Sequence, residues 1–358
     1  MKIFLTGGAG FIGSHTALVL IEAGHEVVVY DNLSNASRES LRRVEQLTGG
    51  RVEFIEGDIR DAAHLDQAFA DSDIDAVIHF AGLKAVGEST EQPLAYYENN
   101  VAGTLALCQA MERANLRTLV FSSSATVYTE SREMPLSEDA PTGRPTNPYG
   151  SSKLMIEWLL RDLQAADPRW SIALLRYFNP VGAHESGRIG EDPQGQPNNL
   201  LPFISQVAIG RLPELAVYGD DYPTGDGTGV RDYIHVMDLA AGHRAALDAI
   251  VGKAGLRTWN LGTGRGYSVL EMIRAFERAA DRDVAYRIAP RRPGDVAECW
   301  ADASRAARDL GWRAERGLDE IMRDAWRWQH DNPNGYRDTG SAGKEPSAAP
   351  AREQESAL

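Results

Sequence analysis

The chain has 358 residues, 43% apolar and 25% charged, proportions of a globular protein long enough for two domains or one large α/β unit. Its 37 basic and 51 acidic residues leave a net charge of −14, which excludes the broad basic face that nucleic-acid binding needs but allows a local anion site. No apolar run approaches the roughly 18 residues of a membrane span, residues 1–6 are too short for a signal-peptide core, and the two cysteines, Cys108 and Cys299, make neither a disulfide framework nor a zinc site, which predicts a reducing, cytoplasmic setting.

In chain order, strands are predicted at 3–6, 26–31, 52–56, 76–81, 118–123 and 172–178. Each is apolar nearly throughout, as in parallel strands covered on both faces. Amphipathic helices fall between them, at 12–23, 65–70, 94–114 and 153–166, with Gly24 as a C-cap glycine. This alternation implies an α/β fold, a doubly wound parallel sheet of Rossmann type, over residues 1–180. Residues 182–229 are rich in Gly, Pro, Asp and Asn and suit binding loops. Short pieces at 216–218, 269–280 and 318–329 complete a smaller, loop-rich α/β domain over 181–337. The last 21 residues, 338–358, hold no aromatic residue and no Val or Ile, so a disordered tail is expected there. No internal repeat is present.

Gly8, Gly10 and Gly13 form G-x-G-x-x-G, and Gly7, Gly10 and Gly13 share a three-residue spacing. Either pattern alone is weak. Here the glycines follow a strand and open a helix, whose free N–H groups would face a pyrophosphate. The next strand ends in Asp31, 18 residues beyond Gly13, where a carboxylate would bind ribose hydroxyls and repel a 2′-phosphate. The pattern predicts NAD rather than NADP.

Tyr149 and Lys153 stand four apart at a helix start, on one face. A Tyr-x-x-x-Lys pair is common by chance, but this one follows a strand that carries a run of hydroxyls, ending in Ser124, to the ligand-binding edge of the sheet. A neighbouring ammonium favours the phenolate, which could then take a proton from a sugar hydroxyl. The helix at 153–166 is apolar on several sides, more than one sheet contact requires, and predicts a second subunit.

The blocks at 6–10, 79–89, 122–128, 175–184, 192–193, 197–200 and 226–236 resemble the extended short-chain dehydrogenase/reductase family and, within it, the nucleotide-sugar 4-epimerases. The resemblance covers residues 1–337. It implies NAD contacts at Phe11, Ile12, Asp31, Asn32, Leu33, Ser34, Asn35, Ala36, Asp58, Ile59, Phe80, Ala81, Gly82, Leu83, Lys84, Asn99, Ser124, Tyr149, Lys153 and Phe178. It implies nucleotide-sugar contacts at Asn179, Asn199, Leu200, Ala216, Val217, Tyr218, Arg231, Arg292 and Asp295. Two of these also stand on charge, since Arg231 and Arg292 could neutralise a diphosphate in an acidic chain. The reaction implied is interconversion of UDP-glucose and UDP-galactose through transient oxidation at C4, by a homodimer with tightly bound NAD. Phe11 stands where the family has Tyr, and Thr129 where it has Gly. Cys299, at a position that varies in the family, is expected to line the sugar pocket and leave room for an N-acetyl group.

No histidine pattern indicates a metal. His79 reads as a satisfied core residue, and Glu138, Asp139 and Glu271 read as loop and helix-surface charges. The alternatives are a nucleotide-sugar 4,6-dehydratase, weakened because Ala125 and Thr126 stand where its acid/base pair belongs, and a non-catalytic NAD-binding regulator, weakened because Ser124, Tyr149 and Lys153 are intact.

Overall fold

The computed structural model describes residues 1–129, 134–193, 197, 199–292 and 295–337; the expected tail lies outside the described residues. The apolar runs of the first half become parallel strands: β1 (Lys2–Thr6), β2 (Glu26–Asp31), β3 (Val52–Glu56), β4 (Ala76–His79), β5 (Thr118–Ser124) and β6 (Ser171–Tyr177). Their alternate residues feed two cores. Ile3, Leu5, Val27 and Val29 point to one face of the sheet, and Phe4, Val28 and Tyr30 to the other.

Helices cover both faces: α1 (Phe11–Glu22), α2 (Arg38–Thr48), α3 (Ala62–Ala70), α4 (Val86–Glu91), α5 (Pro93–Tyr96), α6 (Gly103–Arg113) and α7 (Pro148–Ala166). Their starts follow local chemistry. The side chains of Ser37, Asp61 and Asn147 accept hydrogen bonds from the first-turn amides of α2, α3 and α7. The stretch expected as one helix from 94 to 114 is α5, a π-helical turn at Tyr97–Ala102, and α6.

The second half holds β7 (Asn179–Val181), α8 (Leu200–Ala208), β8 (Leu215–Tyr218), β9 (Val230–His235), α9 (Val236–Ile250), β10 (Gly255–Leu261), β11 (Gly266–Ser268), α10 (Val269–Ala280), β12 (Tyr286–Ala289), β13 (Glu298–Cys299), α11 (Ser304–Leu310) and α12 (Leu318–Asp331). The sequence division at 180/181 is broken by α9 and β10, which return to the first lobe. The large sheet runs β10-β6-β5-β4-β1-β2-β3. β10 pairs with β6 from Gly255↔Ser171 to Leu261↔Tyr177, and α9 packs against α1. The remainder forms a small lobe in which β7, β9, β11 and β13 make one sheet and β8 and β12 another. Met272, Phe276, Ile321 and Met322 fill its own core beside α8. Among the described residues no helix is long and apolar enough to cross a membrane.

Candidate active site

The C-terminal ends of β1, β2, β4 and β5 make one edge of the large sheet, where a doubly wound fold binds ligands. After β1 the chain turns through Gly7 at φ +69°, where a Cβ would lie 2.6 Å from the Ala81 nitrogen. A Cβ on Gly13 would lie 2.5 Å from the Gly7 carbonyl, and the Gly10 amide donates to that carbonyl at 3.3 Å. α1 starts at Gly10 without a capping side chain and without an acid in its first turn. Its first amides, at Phe11, Ile12 and Gly13, therefore lack a capping acceptor, an arrangement that suits a pyrophosphate.

The Asp31 carboxylate accepts from the Ala9 amide at 3.0 Å and from the Leu33 amide at 2.9 Å. It braces the glycine turn from the end of β2, and burial raises its pKa. Asn32 donates to Asp58 at 3.0 Å. Hydrogen bonds from Arg60 hold the Asp58 carboxyl well below the usual range. Ser34, Asn35 and Ala36 lie on the loop between β2 and α2. The Ile59 side chain belongs to the core against Gly103, so only its backbone faces the edge.

Across the edge, Asn100 holds the loop 80–84 in place. Its amide donates to the Leu83 carbonyl at 3.0 Å, and its oxygen accepts from the Leu83 amide at 2.8 Å and from Asn99 at 3.0 Å. Asn100 also donates to the Ser152 hydroxyl at 3.0 Å, tying the π-helical turn to α7. Phe80 packs on the His243 ring at 4.9 Å. A Cβ on Gly82 would lie 3.6 Å from the Lys153 Nζ, so the loop passes directly over that ammonium.

The Asn147 cap on Gly150, at 2.8 Å, starts α7 with Tyr149 and Lys153 facing β5. Lys153 is 4% exposed, and its ammonium donates to the Ser122 carbonyl at 2.8 Å. It lies 5.0 Å above the Phe121 ring and 5.9 Å from the Tyr149 ring. Burial pushes it down to about 8. Burial likewise raises the Tyr149 phenol, opposed by its hydrogen bond with Ser124. Burial therefore outweighs the Ser124 hydrogen bond at the phenol, and positive charge brought close to it would favour the phenolate. A buried ammonium with a single acceptor among the described residues, beside an open helix start and a turn that excludes any Cβ, fits a dinucleotide that offers ribose hydroxyls and a pyrophosphate. Thr126, weighed from the sequence only against the dehydratase reading, donates to the Ser124 Oγ from its backbone at 3.2 Å and from its hydroxyl at 3.0 Å.

The small lobe faces this edge. Asp295 accepts from Arg292 Nε at 2.9 Å and lies 4.0 Å from Arg231, so one carboxylate holds two guanidiniums together. Arg292 also covers the Tyr218 ring at 4.8 Å. Cys299 sits opposite Arg231 in the β13–β9 pairing, beside the cluster of Tyr128, Leu136, Phe178 and Ala301. Burial pushes its thiol up to about 11, which leaves it protonated near neutral pH. Asn179 lies in β7 against Tyr233. Ala216 is half-buried and Leu200 packs on the lobe's core. Val217 belongs to that core, so its backbone alone could meet a ligand. Glu191, also missed, accepts from Lys84 at 3.0 Å and from Asn199 at 2.9 Å, and so joins the two lobes.

One expectation about charges changes, at Glu138, while Glu271 is an exposed helix-surface acid as expected. Glu138 is not a loop-surface acid: it is buried, accepts from the Asn260 amide at 2.8 Å and pairs with Arg305. Glu271 closes a capping box with Ser268 at the start of α10. His79 is a satisfied core residue, bonded to Thr6 at 2.6 Å and Thr104 at 2.8 Å. Thr129 hydrogen-bonds the Pro141 carbonyl at 3.1 Å, and Phe11 packs edge-on to His15 at 5.2 Å.

A family model described as GDP-mannose 4,6 dehydratase matches residues 4–325. The UDP-glucose 4-epimerase of Bacillus subtilis (strain 168) is 59% identical over 337 residues, 94% of this chain and 99% of that protein. The crystal structure of the Bifidobacterium longum UDP-glucose 4-epimerase with NAD+ and UDP matches with a TM-score of 0.91 and 56% identity, covering 94% of this chain and 100% of that one. The UDP-Glc/GlcNAc 4-epimerase of Campylobacter jejuni matches with a TM-score of 0.80 and 36% identity, covering 92% and 99%. Identity of this degree along nearly the whole of both chains, on the same fold, makes the chain a member of the UDP-glucose 4-epimerase family of extended short-chain dehydrogenases/reductases.

Proposed function

We propose that this protein interconverts UDP-glucose and UDP-galactose as an NAD-dependent 4-epimerase. The observation that carries the reading is the meeting of Ser124, Tyr149 and Lys153 at the sheet edge, between the open start of α1 and the Arg231–Arg292 pair. Gly7, Gly10, Phe11, Ile12, Gly13 and Asp31 would hold NAD, with Lys84, Asn99, Lys153 and the loop at 80–84. Bound there, NAD supplies reversible hydride acceptance and a positively charged ring. Tyr149 removes the proton of the sugar 4-hydroxyl and returns it from its phenol. Ser124 hydrogen-bonds the same oxygen, and Lys153 would hold the cofactor's ribose while keeping positive charge near the phenol. Arg231 and Arg292 neutralise the diphosphate, with Asn179, Asn199, Leu200, Tyr218 and the 216–217 backbone around the nucleotide. The first lobe, 1–180 with 236–261, would hold the cofactor, and the rest of 181–337 the nucleotide sugar.

Cys299 supports a wider substrate range. A small side chain opposite Arg231 leaves space beside the hexose, and the Campylobacter jejuni neighbour is a UDP-Glc/GlcNAc 4-epimerase. We therefore include UDP-N-acetylglucosamine and UDP-N-acetylgalactosamine. A homodimer is supported by exposed apolar residues on adjoining helices: Leu94 81%, Leu105 44%, Met155 40% and Trp158 52%. The free thiols of Cys108 and Cys299 are in keeping with a reducing, cytoplasmic location.

The test is incubation with UDP-galactose and no added NAD. UDP-glucose is the expected product. A stable 4-keto-6-deoxy sugar would instead indicate the dehydratase, against which Ala125 and Thr126 beside Ser124 already weigh. No turnover would leave the non-catalytic reading.

A further inference from the structure

β5 and α7 meet through two successive contacts. Lys153 reaches the Ser122 carbonyl at 2.8 Å. One turn further along the same face, Glu157 accepts from the Ser123 hydroxyl at 2.6 Å. Glu157 is fully buried and is also gripped by Arg176, at 2.9 Å through Nε and 2.7 Å through Nη2. Arg176 is the sheet partner of Ser123, so helix, β5 and β6 converge on one carboxylate. The guanidinium continues outward: it donates to the Glu138 carbonyl at 3.2 Å and covers the Tyr128 ring at 4.7 Å. Tyr128 in turn bonds Asn260 at 2.6 Å and belongs to the cluster that includes Phe178 and touches Cys299. A buried ion pair is an expensive means of mere stability, since desolvation offsets much of its attraction, while a carboxylate with charge-assisted bonds in several directions holds orientation closely.

We infer that Glu157, through Ser123 and Arg176, is a positioning residue that sets where the first turns of α7 lie against the end of β5, and hence where Tyr149 and Lys153 stand relative to Ser124. The inference rests on the epimerase reading and adds a residue to it that touches neither substrate nor cofactor. Glu157→Gln keeps the side chain's shape and its acceptor for Ser123 but turns amide hydrogens toward Arg176. The double variant Glu157→Leu with Arg176→Leu removes the buried charges together, a change that folded proteins often tolerate.

Both would be assayed as full chains with their bound NAD, by UDP-galactose turnover and by amide hydrogen exchange along α7. Loss of positioning by about an ångström lowers kcat by roughly 10–100-fold, with KM for UDP-galactose within about twofold of wild type, a split we expect because Arg231 and Arg292 are untouched. Exchange at residues 149–153 should quicken in both variants, and the double variant should recover thermal stability without recovering kcat. Wild-type kcat in the folded double variant, or in folded Glu157→Gln, overturns the inference. So does a KM that rises while kcat stays level. If the double variant does not fold, Glu157→Gln decides alone. Failure of the underlying reading is separable: wild-type protein would then not turn over UDP-galactose at all, while exchange at 149–153 would still report whether Glu157 holds the helix.

Discussion

Lys153→Met separates what the ammonium does for chemistry from what it does to the fold. The ammonium is pushed from 10.5 to about 8 by burial, and at about 1.4 kcal/mol per tenfold change, keeping it charged at neutral pH costs the native state about 3 kcal/mol. Methionine has similar length and no charge, and it loses one hydrogen bond to the Ser122 carbonyl, worth about 1 kcal/mol. The net expectation at pH 7 is an NAD-free variant more stable than wild type by about 2 kcal/mol. The sign follows from linkage. Native Lys153 binds its proton less tightly than the unfolded chain does, so its cost is complete below pH 8. It fades as pH rises toward 10.5, and the advantage of methionine fades with it. Urea unfolding of nucleotide-stripped protein at pH 7 and pH 9.5 measures both points, and turnover of the loaded variant should fall at least about 100-fold. A methionine variant no more stable than wild type at pH 7, or one whose advantage is the same at both pH values, would refute the reasoning.

Tyr149→Phe should retain fold and bound NAD while kcat falls by about 10²–10⁴, the range of one general acid–base group, measured by UDP-galactose turnover beside the protein's nucleotide content. Cys299→Tyr should suppress exchange between UDP-N-acetylglucosamine and UDP-N-acetylgalactosamine by at least about tenfold and spare the simple hexoses, because a phenol would take up the space beside Arg231. Comparison of the two substrate pairs with wild type checks this. Leu94→Glu with Trp158→Glu should turn a dimer into a monomer by light scattering at micromolar concentration, since two charges would enter the apolar face.

Features encoded by local chemistry are legible in the residues themselves. β2 begins and ends at the predicted residues, as does α10, because an apolar run between turn residues and a Ser–Glu capping box carry their information within a few positions. The glycine turn and the spacing of Tyr149 and Lys153 were legible for the same reason. Tertiary structure alone decided the return of α9 and β10 to the large sheet. β10 lies at the sheet's edge, and its first four residues are only half-buried, so no continuous apolar run announces it. Glu138, read as a surface acid, is buried because Asn260 and Arg305, far along the chain, supply its partners. Glu157 and Arg176 look like ordinary charges until the β5–β6 register sets Arg176 beside Ser123. Glu191 acquires meaning only when Lys84 and Asn199 arrive from different lobes. Local pattern reports whether a segment can bury a face; which distant group meets a buried charge depends on strand order and register, which exist only once the chain has folded.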